Sequence, residues 1–221
     1  PATPTNLTPP PADRYQWSPT GPPVAPGRYT VSLALRVDGE LQPLGEPQSF
    51  TCEPLGLSTH AAKNPAELAA FARRGASLQR AVQGALRALG EAETRVAHLN
   101  KAIDDTPGAP ANLGSEVRTL GARLRELRTR MTGDAQRRAA NEPDAPSLVE
   151  RLDDVIQSQW NTTASPTGTQ RAALDIVGEE FEPALAELRA VLEGDLPRLE
   201  SAAERAGAPW TPGRVPEWKR P

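Results

Sequence analysis

"NPAELAAFARRGASLQRAVQGALRALGEAETRVAHLNKAI", Asn64 to Ile103, decides how this chain folds. It opens with an asparagine able to cap a helix, a proline at the first helical position and an acid at the third. Behind that start Leu68, Phe71, Leu78, Val82, Leu86, Leu89, Val96, Leu99 and Ile103 recur at three-four spacing. The pattern predicts one amphipathic helix about 60 Å long, at 1.5 Å per residue. Gly75, Gly84 and Gly90 interrupt it, each costing up to about 1 kcal/mol relative to alanine unless it admits a neighbouring helix. Asp104-Asp105-Thr106-Pro107-Gly108 stops it.

The stripe needs partners, and the residues after it supply them. A second helix is expected from near Gly114 to Arg138, where Leu113, Val117, Leu120, Leu124, Leu127 and Met131 make a coiled-coil-like seam. Ser147 caps a short third helix carrying Leu148, Leu152, Val155 or Ile156, and Trp160. A fourth spans about Thr169 to Arg205, marked by Leu174, Val177, Phe181, Leu185, Leu188, Leu192, Leu196 and Leu199. Pro183 and Pro197 each lack a backbone donor, so bends are expected there. The fold class is therefore mainly α: a long antiparallel three- or four-helix bundle over residues 58–221, its first and last helices paired over most of their length.

Residues 1–57 read differently. From Tyr29 the chain alternates, Tyr29, Val31, Leu33, Leu35 and Val37 on one side and Thr30, Ser32, Ala34 and Arg36 on the other, the period of a half-buried strand. Asp38-Gly39 suits a type I′ turn, whose central residues both need positive φ. The return strand, Leu41 to Glu53, meets Pro43, Gly45 and Pro47 and is expected to be an edge with a bulge or kink. A lone hairpin cannot bury its apolar face. Tyr15-Gln16-Trp17-Ser18-Pro19 is a candidate third strand, and more strands are expected before Pro1, in a chain that opens Pro1-Ala2-Thr3-Pro4 without a methionine. The segment reads as the end of an Ig-like β-sandwich module.

Charge narrows the function classes. A net charge of −3 gives no basic field for nucleic acid, and no run of eighteen apolar residues could span a bilayer. Lys63, Lys101 and Lys219 are the lysines among many arginines, the coding bias of a GC-rich bacterium. Cys52 is the single cysteine, which excludes an internal disulfide or a cysteine-based zinc cluster; it reads as a buried strand residue.

Catalytic patterns are missing. The pairs Asp104-Asp105, Asp153-Asp154 and Glu179-Glu180 are helix neighbours pointing about 100° apart, so neither member can share a substrate with the other. His60 and His98 lack a companion ligand at i+4. No phosphate loop, nucleophile elbow or Walker-type lysine occurs. No cofactor, metal or catalytic residue is assigned, and the chain is expected not to be an enzyme. Arg123, Arg125, Arg128, Arg130, Arg137 and Arg138 cluster on the second helix, but Glu116 and Glu126 balance them and no aromatic side chains interleave. Candidate binding positions are loop residues: Asp134, Asn141, Glu142, Trp160, Asn161 and Trp210, with Trp218 in the tail. Asn6-Leu7-Thr8 and Asn161-Thr162-Thr163 match the glycosylation acceptor, a common chance pattern.

Three longer strings carry a resemblance. "GDAQRRAANEPDAPSLVERLDDVIQSQWNTTASPTGTQ" (Gly133–Gln170), "DLPRLESAAERAGAPWTPGRVPEW" (Asp195–Trp218) and "WSPTGPPVAPGRYTV" (Trp17–Val31) resemble the C-terminal region of large bacterial proteins with sortilin-like, BNR-repeat β-propellers, many of them exo-α-sialidase-like or glycosyl hydrolase-like. The likeness runs from about Tyr15 to the end and departs from the pattern at "LQPLGEPQ". It implies a β-sandwich remnant before the bundle, export from the cell, and a propeller upstream that would hold any hydrolytic residues; none transfers to this chain. The expected function is that of a non-catalytic accessory region, packing on its own N-terminal propeller or on another copy of the chain. The alternative is a glycan- or peptide-binding module using Trp160, Asn161, Trp210 and Trp218.

Overall fold

A computed structural model of the protein describes Pro22, residues 24–160 and 162–216, Trp218 and Arg220, without the Trp160 side chain. The expected strand at Tyr15–Pro19 lies outside the described residues, as does Asn161. The fold is mainly helical, with a small β-hairpin before the helices.

Helix α1 runs Pro65–Asp104 in one piece. Asn64 starts it: its Oδ1 accepts the Glu67 amide at 3.2 Å, and Pro65 occupies the first turn, where no donor is needed. Helix α2 is Ala111–Thr132. It ends six residues earlier than the seam suggests, because Gly133 takes φ 80° and Asp134 caps a separate short helix α3, Ala135–Ala139. Helix α4, Leu148–Trp160, opens on a reciprocal cap: the Glu150 amide donates to Ser147 Oγ (3.3 Å) and the Ser147 amide to Glu150 Oε2 (2.9 Å). A second reciprocal cap, Thr167 with Gln170, opens α5, Gly168–Ala190.

Helix α5 continues through Pro183 and passes through a π-turn, Val191–Asp195, into α6, Leu196–Arg205. In the π-turn the Leu196 amide donates to the Val191 carbonyl, five residues back. Pro197 has no N–H to give to Glu193, so the ladder widens by one residue just before it. Just before Pro197, where a bend is expected, the structure has a π-turn.

Ion pairs between helices show the arrangement. Glu67, Arg74 and Arg95 of α1 meet Arg171, Asp175 and Glu200 in that order, so the α5–α6 rod ascends parallel to α1. Arg130, Arg123 and Glu116 of α2 meet Glu187, Asp195 and Arg198, so α2 descends against that rod. It descends against α1 as well, since Gly114 lies beside Ile103 and Gly121 beside Val96. Helix α4 continues the descent: Ile156 lies beside Gly75 near the foot of α1. The bundle is thus three rods, up, down and up, with the middle rod broken between Thr132 and Leu148. The first and last helices are parallel neighbours, and both run antiparallel to the middle limb.

The core is one cluster along this seam. Leu89, Leu99, Leu127 and Leu174 are fully buried, with Met131 and Phe181 beside them. Helix α1 also presents Ala69, Ala72, Ala85, Ala92 and Ala102 as buried positions, small side chains that allow close approach of its neighbours.

The hairpin is one ribbon in two parts. Strand β1, Gly27–Val31, pairs with β4, Gln48–Cys52; β2, Ala34–Val37, pairs with β3, Glu40–Pro43. Asp38 (φ 49°) and Gly39 (φ 90°) form the tight turn between β2 and β3. The alternation from Tyr29 to Val37 is not one strand. Residues 44–47 stand opposite residues 32–33, and the surplus on the return side forces the break, spanned by a bond from the Leu44 amide to the Leu33 carbonyl (2.9 Å). Tyr29 stacks on Phe50 at 5.9 Å between centroids and donates its hydroxyl to the Ala25 carbonyl at 2.6 Å.

Gly84 tests the reading of α1. A Cβ there would meet nothing within 4 Å, whereas at Gly75 and Gly90 it would touch Ile156 and Arg128. Gly84→Ala is expected to stabilise the fold by up to about 1 kcal/mol, read as a higher midpoint in denaturant unfolding with an unchanged slope.

Candidate functional site

The loop residues singled out in the sequence sit in different places. Asp134 Oδ1 accepts the amides of Gln136 (2.8 Å) and Arg137 (3.3 Å), the work of a helix cap. Asn141 adopts φ 53° just past α3, and Glu142 holds Arg137 at 3.4 Å. These three close the gap between α2 and α4. Trp160 ends α4, about 20 Å from that gap at 1.5 Å per residue. Trp210 lies in the tail after α6, 60% exposed, its Nε1 donating to the Arg214 carbonyl at 2.6 Å. Asp134, Asn141 and Glu142 therefore share one loop, and Trp160 belongs to the opposite end of α4.

Five of the six arginines in the cluster, all but Arg125, meet carboxylates of other elements. Arg128 binds both oxygens of Glu93 (2.7 and 2.5 Å), and Arg123 reaches Asp195 at 2.8 Å. Arg130 pairs with Glu187, Arg137 with Glu142 and Asp144, and Arg138 with Glu150. Glu116, expected to balance this cluster, instead holds Arg198 of α6 at 2.9 Å. An open recess of about 680 Å³ runs between α1 and the tail at Pro212 and Gly213. Its guanidiniums, Arg87, Arg95 and Arg128, are paired with Glu91, Glu200 and Glu93, so it offers an anion no free charge.

The tail is fastened by a clamp that sequence reading missed. Arg95 donates Nε and Nη2 to the two oxygens of Glu200 at 3.0 and 2.8 Å, with the Glu200 side chain only 5% exposed. Arg214 then donates to the Glu200 carbonyl (2.8 Å) and pairs with Glu204. Thr211, in the same tail, is buried.

A cavity of about 460 Å³ lies where the hairpin meets the bundle. The linker leaving β4 crosses the foot of α1, and the Ala62 amide donates to the Thr163 carbonyl (2.7 Å) in the loop after α4. Pro26, Pro54, Leu57, Leu68, Ala69 and Ala72 supply apolar wall, and Cys52 and Gln159 complete it. Cys52 is not a buried strand residue: it is the last residue of β4, partly exposed on the wall of this cavity. Gln159 is 4% exposed. Its Nε2 donates to Gln170 Oε1 (3.0 Å), while its own Oε1 is buried with no partner among the described residues. An unpaired buried acceptor costs about 1–3 kcal/mol. The signal for Gln159 was present: Leu148, Leu152, Val155 and Ile156 are the buried stripe of α4, and position 159 continues it with a polar residue.

Two carboxyl groups on α4 are shifted in opposite directions. Burial, with Asp154 alongside, pushes the Asp153 carboxyl up. Hydrogen bonds from the Ser147 amide and hydroxyl hold Glu150 below the usual glutamate range. Among the described residues no group of three or more His, Cys, Asp or Glu is placed to hold a metal ion, and no helix is long and apolar enough to cross a membrane. No protein-family model, curated protein or solved structure matches the chain.

Two measurements follow from this geometry. Glu200→Ala strands Arg95 and is expected to destabilise the fold by about 3 kcal/mol, the low end for breaking a buried pair because Arg95 keeps some water; equilibrium unfolding reads it. Asp153 has a folded pKa above its unfolded one, so it opposes folding increasingly as pH rises from the unfolded value, near 3.8, through the folded value. Asp153→Asn should therefore raise the melting temperature slightly at neutral pH, with the gain vanishing in strong acid.

Proposed function

We propose that this chain is a non-catalytic accessory and interaction region of an exported bacterial protein with a sortilin-like propeller, in which the helical bundle is a rigid strut and the hairpin is the contact arm. The single observation carrying this reading is the hairpin's unpartnered apolar surface. Leu33, Leu35, Val37 and Phe50 are 67%, 48%, 43% and 53% exposed, on a two-stranded ribbon that cannot bury them itself. Leu55 and Leu57 extend the apolar surface into the linker. Scattered exposed apolar side chains are ordinary, but so many on one short ribbon mark a surface meant for burial. Another β-sheet fits it best, since among the described residues no further strand pairs with the ribbon's outer edges. The three strings that resemble propeller-bearing proteins support a β-module of the same polypeptide as that partner.

Light scattering over a wide concentration range, with hydrogen exchange of the hairpin amides, tests the reading. A monomer whose hairpin amides exchange quickly is expected, with exchange slowing when the arm is docked on the polypeptide's β-module. Dimers abolished by Leu35→Glu with Val37→Glu would make the second copy the partner instead. A monomer whose hairpin amides exchange as slowly as those of α1 would show a self-sufficient arm and overturn the proposal.

A further inference from the structure

We infer that the recess between α1 and α2 binds an elongated dianion, a molecule with an anionic group at each end, about 10 Å apart, and an uncharged aliphatic middle. This is a separate role, and it stands whether or not the arm docks on a β-surface. Val96, Ala97 and Asn100 of α1 face Arg118, Gly121 and Arg125 of α2 across the recess. Its volume, about 460 Å³, lies within the range of about 300–1,000 Å³ usual for small-molecule sites.

Unspent positive charge sets this recess apart from the one beside the tail. Helix α2 carries five arginines. Arg123, Arg128 and Arg130 are paired with carboxylates of neighbouring helices, whereas Arg118 and Arg125 have no ion pair or side-chain hydrogen bond among the described residues. Both fold back along the helix. Arg118 Nη1 lies 3.2 Å from where a Cβ on Gly114 would stand, and Arg125 Nη1 lies 3.5 Å from where one on Gly121 would. Each guanidinium thus rests one turn below its own Cα, over a glycine. The two head groups keep the spacing of their positions, seven residues or about 10 Å along the axis. One carboxylate or phosphate can reach only one of them; a molecule anionic at both ends reaches both. The carboxylates nearby are engaged elsewhere. Glu93 accepts Arg128 on both oxygens, and Asp104 accepts the Asn100 Nδ2 at 3.3 Å. Glu126, next to Arg125 in sequence, points about 100° away from it around the helix. Val96, Val117 and Gly121 supply the lining between the head groups, an apolar floor that suits an aliphatic spacer.

A chemical-shift titration of the full chain at constant ionic strength tests this, followed at the arginine Nε–H signals and the α2 amides. The probes are nonanedioate, whose carboxylates stand roughly 10 Å apart when extended, nonanoate with one charge, and propanedioate with two charges close together. Nonanedioate is expected to shift the Arg118 and Arg125 signals together and saturably. Nonanoate and propanedioate should each bind about fivefold more weakly, the value of one exposed ion pair. Arg118→Gln and Arg125→Gln, at exposed positions without partners, should each bring nonanedioate down to the nonanoate level. Arg36→Gln, which removes an arginine of the hairpin equally without an ion pair, should leave its affinity unchanged. No saturable shift, nonanoate or propanedioate binding as tightly as nonanedioate, or the same loss in Arg36→Gln as in the two α2 variants would each overturn the proposal.

Discussion

The structure depends on one mismatch of lengths. Helix α1 carries an apolar stripe along 40 residues, and α2, at 22 residues, is too short to cover it. An uncovered half would leave Phe71, Ala72 and Val82 in water, at roughly 1.5–3 kcal/mol for each large side chain. The chain answers with α4, 13 residues long, which descends beside the remaining foot of α1. Gly133, Asp134 and Ser147 exist in this account to end one descending helix and begin the next. The last rod then has two partners in sequence, α4 beside its first half and α2 beside its second, and its own length follows from theirs.

Ion pairs set the order of these rods more than they hold them together. Exposed pairs such as Arg74–Asp175 and Arg198–Glu116 contribute about 0–1 kcal/mol each. Their value lies in discrimination. Shifting the last rod by one turn against α1 would part Glu67 from Arg171 and Arg95 from Glu200 together, and the second loss strands charge in a nearly dry place. Leucine seams tolerate a slipped register better than such pairs do, so the leucines supply the cohesion and the arginines the alignment.

What could be read from the sequence was whatever a residue declares by itself or along its own helix. Asn64-Pro65, Asp38-Gly39 and Ser147 each mark a chain boundary by local chemistry, and each stands where that chemistry puts it. Positions 32–33 read as continuous strand although the kink expected at Pro43, Gly45 and Pro47 lies across the ladder from them, because alternation records which way a side chain points and is blind to how many residues stand opposite. The π-turn was illegible for a related reason: a proline announces a missing donor without saying how the preceding turn adjusts. Among candidate binding residues, Asp134 drew attention for its type and turned out to cap a helix. Gln159 did not draw attention, although a polar residue on a buried stripe is the rarer event. A tryptophan beside it was the more visible side chain.

The joint between arm and bundle concentrates what the rest of the fold avoids. Along the three rods, side chains at regular spacing fill the space between axes, and the recesses beside α1 lie on its surface, rimmed by charged side chains. Near the foot of α1 that regularity ends, because Pro54 and Gly56 keep the linker from joining either helix or sheet. An irregular strap laid across a helix cannot fill its grooves as a helix would, so a cavity remains, walled by proline, leucine and alanine. Positions 62, 69 and 72, which line it, are alanine, too short to fill it. Gln159 stands at the same joint with its amide held by Gln170, whose own side chain reaches back to Ser158 and to the Thr167 cap, so the start of α5 is tied to the end of α4 just where the strap crosses.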